Sequence, residues 1–451
     1  MSENNEYCIS EEALQRLTED IGKKMVESAE KTQSKSSSSC IYRVPKEIRK
    51  QKESAYTPRF VSIGPLHGKD QHILNSPMQD VKKSYANSLF DRILSSKGGL
   101  EEEKLNTSKV LVECVGKMRE SLEKAKKCYA EEIEDVLDVE MLVIDGCFIL
   151  ELLYRSHRFF HMYIDEPSSD PIFGSILTDV YVRHDLLLLE NQLPFFVLNE
   201  LFDLTVAHIV CTPTRTLGQY VISYFPQMWK SENDGTTTAT TTTATNNNYD
   251  HILDILHNHY RHHDANPGDG GSSVVMPCAS DLEYAGAMFK EGNKVEFCKP
   301  QSPFHRAQFK IPTLALDDSV EPFLRNLIAY EQCCPGVPGY FTSYAILMDT
   351  LINTPKDVQV LEKAGIIRNY LGASEDASDL FNNLCKGIVL GEFYFTETTK
   401  AAADYSKSCW HDAMAHLRRR YFASPWTFIA FCVGFITFAI SVVKFVRANF
   451  R

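Results

Sequence analysis

From Tyr421 to Val443 the chain reads YFASPWTFIAFCVGFITFAISVV, 23 residues without a charge. As a helix rising about 1.5 Å per residue, such a run reaches about 34 Å, enough for a hydrocarbon core of about 30 Å. Arg418, Arg419 and Arg420 stop it on one side, and Lys444, Arg447 and Arg451 stop it on the other. Tyr421, Phe422 and Trp426 stand where an aromatic belt is expected. The segment therefore predicts one C-terminal transmembrane helix over 421–443, a basic tail over 444–451, and the lipid bilayer as a partner.

The N-terminus is acidic and lacks an apolar core, so it does not read as a secretory signal. The expected localisation is a single-pass protein of the plasma membrane with residues 1–420 in the cytosol. Lys407, Arg418, Arg419 and Arg420 before the apolar run outnumber the three positive charges after it, which favours that orientation. Against it, a recognition role would suit an extracellular domain, and Asn106-Thr107-Ser108 is a usable glycosylation sequon. Thirteen cysteines, an odd number with no CxxC pair, suit a reducing compartment. Lys+Arg 47 against Asp+Glu 59 gives a net charge of −12, which argues against nucleic acid as a partner.

The rest of the chain reads as mainly α, a helical domain with a small β element. Residues 1–40 form a variable segment in which Leu14, Leu17, Ile21 and Met25 recur at helical spacing, followed by a flexible joint at 32–39. Residues 41–230 form the first helical half. Ser76-Pro77-Met78-Gln79 reads as a helix start, and Asn106-Thr107-Ser108 opens another. Two runs, MLVIDGCFILELLYR (141–155) and HDLLLLENQLPFFVLNELFDL (184–204), are too apolar for surface helices and are expected at the centre of the core.

Residues 231–248, with eight Thr and three consecutive Asn, cannot support a core, and 231–273 reads as a low-complexity insertion or linker. Residues 274–417 form the second half. Lys294–Cys298 and Gln308–Leu316 alternate as short strands. Thr354-Pro355-Lys356-Asp357 starts a helix that ends at Gly365, and Ser374 caps one more.

The blocks IYRVP (41–45), YTPRFVSIGPLHGKD (56–70), VIDGCFILELL (143–153), VRHDLLLLENQLPFFVL (182–198), LRNLIAYEQ (324–332) and MDTLINTPKDVQVLEKAGII (348–367) stand in this order. Together with the terminal hydrophobic segment they resemble the plant family known as domain of unknown function 247, over residues 41 to 443. The resemblance implies a mostly helical, single-pass plant protein with no established catalytic activity. Some grass relatives are linked to pollen self-incompatibility, a recognition role.

No GxxxxGK[ST], GxGxxG, GxSxG or HExxH occurs, which removes the common nucleotide, hydrolase and zincin readings. No catalytic, cofactor-binding or metal-binding residue is assigned. His257, His259, His262 and His263 have spacings that suit a transition metal but lie in the low-complexity stretch. Cys333-Cys334 reads as two small apolar groups at a helix end. His67 reads as a turn residue bonded to backbone, and the basic run Arg43, Lys46, Arg49, Lys50, Lys52 as a solvated face.

Asp145, Glu151, Asp185 and Glu190 are the chemically interesting set. Carboxylates inside apolar helices either pair, tying the helices together, or carry raised pKa values fit for acid–base work. Arg155, Arg183, His184 and Asn191 are the partners near in sequence. The expected function is a non-enzymatic, membrane-anchored recognition or regulatory protein with a protein partner. The alternative is a membrane-associated enzyme using these four carboxylates.

Overall fold

A helix that is apolar all round must be enclosed by others, and the run at 141–155 organises its surroundings for that reason. The structure is a computed structural model. It describes residues 11–36, 39–95, 102–133, 136–161, 169–209, 215–225, 229–230, 249–261, 275–300, 305–407 and 425–449. Packing divides the chain into two units, the first of residues 1–45, 56–225 and 241–259, the second of residues 46–55, 226–240 and 260–451.

The first unit contains α1 (Glu11–Ser36), α2 (Met78–Ser95), α3 (Glu102–Lys127), α4 (Val139–His161), α5 (Ile176–Asp185), α6 (Phe195–Leu204), α7 (Leu217–Tyr224) and, up to His259, α8 (Ile252–Tyr260). Helix α4 carries the apolar run and packs against α2, α3, α6 and α7. Leu142, Cys147, Phe148, Leu152 and Leu153 are buried in that packing. Gly146 lies so close to Leu201 of α6 that a Cβ has no room there.

The second apolar run is not one helix. Helix α5 ends at Asp185 and α6 begins at Phe195, and residues 186–194 between them are irregular yet almost wholly buried. Pro194 lacks an N–H and restricts the residue before it, so a continuous helix cannot form. Side-chain amides replace the missing ladder. Asn191 Nδ2 donates to the Asp185 carbonyl at 2.9 Å, and Gln192 Nε2 donates to the Leu186 and Leu188 carbonyls at 2.8 and 2.9 Å.

Part of the expected insertion is ordered core. Helix α8 buries Ile252, Leu253, Ile255 and Leu256, whereas residues 231–248 and 262–273 lie outside the described residues. Helix α1 runs through Ser36, so most of the expected joint at 32–39 is helical, and its Leu17, Ile21 and Met25 are exposed.

The second unit is also mainly helical, with α9 (Ala279–Tyr284), α10 (Val320–Cys333), α11 (Tyr340–Leu351), α12 (Pro355–Lys363), α13 (Ser374–Leu384), α14 (Thr396–Ser406) and α15 (Pro425–Asn449). The capping box that opens α12 is present, with Thr354 and Asp357 bonded reciprocally, and Gly365 with φ +74° stands just past its end.

The small β element is two three-stranded sheets built from β1 (Trp229–Lys230), β2 (Met288–Glu291), β3 (Glu296–Cys298), β4 (Gln308–Ile311), β5 (Thr313–Leu316) and β6 (Ile367–Asn369). One sheet has the order β1-β5-β6 and the other β2-β4-β3. In the latter, Phe289 and Phe297 both register with Phe309, and each ring centroid lies 5.6 Å from that of Phe309.

The expected transmembrane helix over 421–443 is corrected. Among the described residues no helix is long and apolar enough to cross a membrane. Helix α15 is described from Pro425 to Asn449, its uncharged run there is Pro425–Val443, and Lys444 and Arg447 lie within it. Those nineteen residues, at about 1.5 Å each, give about 28 Å, less than the run of 23 counted in the sequence. Residues 421–424 lie outside the described residues.

Candidate functional site

The segment 56–68 carries Pro58, Pro65 and two glycines, so it cannot satisfy its backbone amides by regular pairing. Buried carboxylates accept them instead. Asp185, at the end of α5, takes the N–H of Arg59 at 2.8 Å on Oδ1, and those of Phe60 and Val61 at 2.7 and 2.8 Å on Oδ2. Asn191 Oδ1 takes the N–H of Ile63 at 2.7 Å while its Nδ2 donates to the Val61 carbonyl at 3.0 Å. Asp145 Oδ2 takes the N–H of Gly64 at 2.8 Å. Gly64 has φ +68°, and a Cβ there would stand 2.8 Å from the Gln192 carbonyl oxygen and 2.9 Å from Tyr129 Oη. The turn therefore needs glycine twice over, for its backbone angle and for its space.

Lys82 completes this layer. Its ammonium is buried, pairs with Asp145 Oδ1 and donates to the Ser62 carbonyl at 2.8 Å. Glu190 holds a different strand of chain. Its Oε1 accepts the Val44 N–H at 2.7 Å, and its Oε2 lies 3.3 Å from an Arg43 nitrogen and 3.1 Å from His67 Nε2. The other ring nitrogen of His67 lies 2.8 Å from Asp70 Oδ2. His67 is thus buried between two carboxylates rather than bonded to backbone at a turn. Arg43 is exposed, in keeping with a solvated basic face, and also reaches Glu131 and the Leu66 carbonyl, each at 2.8 Å.

Glu151 sits one layer away on α4. Its Oε1 accepts from Arg92 at 2.8 Å and Arg155 at 2.7 Å, and its Oε2 has no partner among the described residues. Arg155 also pairs with Asp170, whose Oδ1 takes the Tyr85 hydroxyl at 2.7 Å and the N–H groups of Ile172 and Phe173 at 2.9 and 2.8 Å.

The electrostatics follow from burial against pairing. Burial pushes the Asp145 carboxyl above the ordinary carboxylate range, and Lys82 and the Gly64 amide pull against that rise. Glu151 is raised by burial in the same way, opposed by Arg92 and Arg155. Asp170 goes the other way. Burial raises it, but the Tyr85 hydroxyl, the two amides and Arg155 together hold it below the ordinary range.

The structure thus places all four carboxylates in the first unit, and each oxygen of Asp145, Asp185 and Glu190 is engaged. A general acid or base must come within about 3 Å of a substrate proton, and these oxygens are filled by the protein itself. Two open clefts of about 500 and 560 Å³ lie in the second unit, the first beside Glu331, Pro338 and Tyr394, the second beside Lys52, Glu321 and Asp376. None of the four carboxylates lines either.

Of the expected partners, Arg155 and Asn191 serve as foreseen. Arg183 pairs with Asp179 instead, and His184 Nδ1 is 3.7 Å from Asp185. Arg43, His67, Lys82, Arg92 and Asp170 enter from segments remote in sequence. His257 and His259 lie on α8 with His257 wholly buried, and His262 and His263 lie outside the described residues. Cys334 is buried at the end of α10, with Cys333 partly exposed beside it.

The profile of a family of plant proteins of unknown function, domain of unknown function 247, matches residues 41–440. The UPF0481 protein At3g47200 of Arabidopsis thaliana is 28% identical over 436 residues, covering 90% of this chain and 85% of that protein. The putative UPF0481 protein At3g02645 of the same plant is 28% identical over 159 residues, covering 35% of this chain and 30% of that protein. No solved structure matches the chain.

Proposed function

The chain belongs to the plant family domain of unknown function 247, and from that premise we propose that it is a non-enzymatic recognition or regulatory protein acting through a protein partner. The observation that carries this reading is the engagement of Asp145, Asp185 and Glu190. Their oxygens hold backbone amides of the segments 43–44 and 59–64, so the most suggestive acid–base groups in the sequence are occupied in holding the fold. The domain works in the cytosol in this reading, in keeping with thirteen cysteines, an odd number. A membrane anchor is not part of it.

Proximity labelling of the full chain in plant tissue, followed by titration of each recovered protein against the purified chain, tests the proposal. Saturable binding to a recovered protein, abolished by an exposed substitution that leaves thermal melting unchanged, is the expected result. Turnover of a metabolite that is abolished by Glu151→Gln without loss of folding would overturn it in favour of an enzyme.

A further inference from the structure

Cys40 and Cys128 are 88 positions apart in sequence and adjacent in space. The N–H groups of Cys40 and Ile41 both donate to the Cys128 carbonyl at 2.9 Å, and Ala130 N–H donates to the Ile41 carbonyl at 3.0 Å. Ile41 and Tyr129 form a parallel bridge, which puts Cys40 and Cys128 in register one step before it. In such a pairing, residues in register project to the same face of strands about 4.8 Å apart, within the roughly 4.4–6.8 Å Cα separation that a disulfide spans. The Cys128 thiol lies 3.6 Å from the Lys124 carbonyl oxygen and interacts with the Cys40 thiol. Cys128 is partly exposed and Cys40 is buried.

We propose that Cys40 and Cys128 are a redox pair that forms a reversible disulfide by exchange with a low-molecular-weight disulfide such as oxidised glutathione. Cys128 is the attacking thiol, because an exchange partner reaches it from solvent. The interaction with the Cys40 thiol, helped by Lys124, holds the Cys128 thiol below its ordinary range against burial and the Asp250 charge, which raises its thiolate fraction. The Cys128 thiolate attacks one glutathione sulfur, the S–S bond breaks, and the other glutathione leaves as a thiolate. Cys40 then loses its proton and attacks Cys128 Sγ of the mixed disulfide, expelling the second glutathione thiolate. Two protein thiols are oxidised and one glutathione disulfide is reduced to two thiols.

The link has a structural consequence. It staples the chain three residues ahead of Arg43, which with Val44 binds Glu190, onto the segment following α3. It also closes a long loop of the unfolded chain, so the oxidised form melts at a higher temperature, by about 5 °C or more.

The test uses the full chain incubated with oxidised glutathione at neutral pH, followed by alkylation of remaining thiols and peptide mapping by mass spectrometry. The expected product is a peptide pair joined through Cys40 and Cys128, removed by dithiothreitol and accompanied by the higher melting temperature. Cys40→Ser should accumulate a persistent mixed disulfide on Cys128, because the resolving thiol is gone, while Cys128→Ser should leave Cys40 unmodified. Recovery of Cys128 as a stable glutathione adduct in the unsubstituted chain, or linkage of either residue to a different cysteine, would overturn the proposal.

Discussion

The Glu190 carboxylate accepts the Val44 amide at 2.7 Å across 146 residues of sequence. This bond joins the first family block to the fourth, and Asp185 repeats the device with three amides of the second block. Charged groups in the interior are acceptable because each is matched, and removal of one partner leaves the others unsatisfied.

Asp185→Ala strands three amide donors. The expected loss is about 3–5 kcal/mol, read as a shift in urea midpoint. Asp203→Ala, an exposed aspartate on α6, should stay within about 0.5 kcal/mol. Equal effects for the two would show that the Asp185 bonds hold nothing.

Gly64→Ala introduces a Cβ 2.8 Å from the Gln192 carbonyl oxygen at a φ of +68°. Strain and clash together should cost about 2–4 kcal/mol. Thermal melting of that variant beside Gly116→Ala, where a Cβ meets nothing within 4 Å, separates the site from a general glycine effect.

Leu188→Asp places an unpaired charge at a position with no solvent exposure. Several kcal/mol of destabilisation are expected, and a melting curve like that of the unsubstituted chain would show that the irregular segment 186–194 is not core.

Asp170 gives a pH signature. Its carboxyl is held below 3.8 in the folded state, so the unfolded chain binds the extra proton as pH falls. The stability it contributes is present above about pH 4 and lost as pH drops through its folded value. Denaturation of the unsubstituted chain and Asp170→Asn at pH 7, 5 and 3 should show a gap that closes only at the lowest pH. A gap that widens on acidification would reverse the assigned sign.

Sequence patterns located much of this structure. The α12 start was legible because Thr354, Pro355 and Asp357 each act within one turn, and α4 was legible because its apolar residues are continuous. The break at 186–194 was not. An apolar run buried in an irregular segment has the same composition as a buried helix, and only Pro194 marks the difference. Helix α8 was hidden by its low-complexity flank. Asp145, Asp185 and Glu190 stood out as carboxylates in apolar blocks, but their main partners are backbone amides, which carry no sequence signal. The run at 421–443 is not borne out as a spanning helix among the described residues, where the helix also takes in Lys444 and Arg447.

Buried carboxylates hold the segments 43–44 and 59–64 in place, and amide hydrogen exchange of Val44, Phe60, Val61 and Gly64 in the full chain reads that hold. Groups paired in the core exchange only by large-scale opening. These loop amides are expected to be protected nearly as strongly as those in the middle of α4, with protection at Phe60 and Val61 lost in Asp185→Ala. Exchange at the rate of an exposed loop in the unsubstituted chain would contradict it.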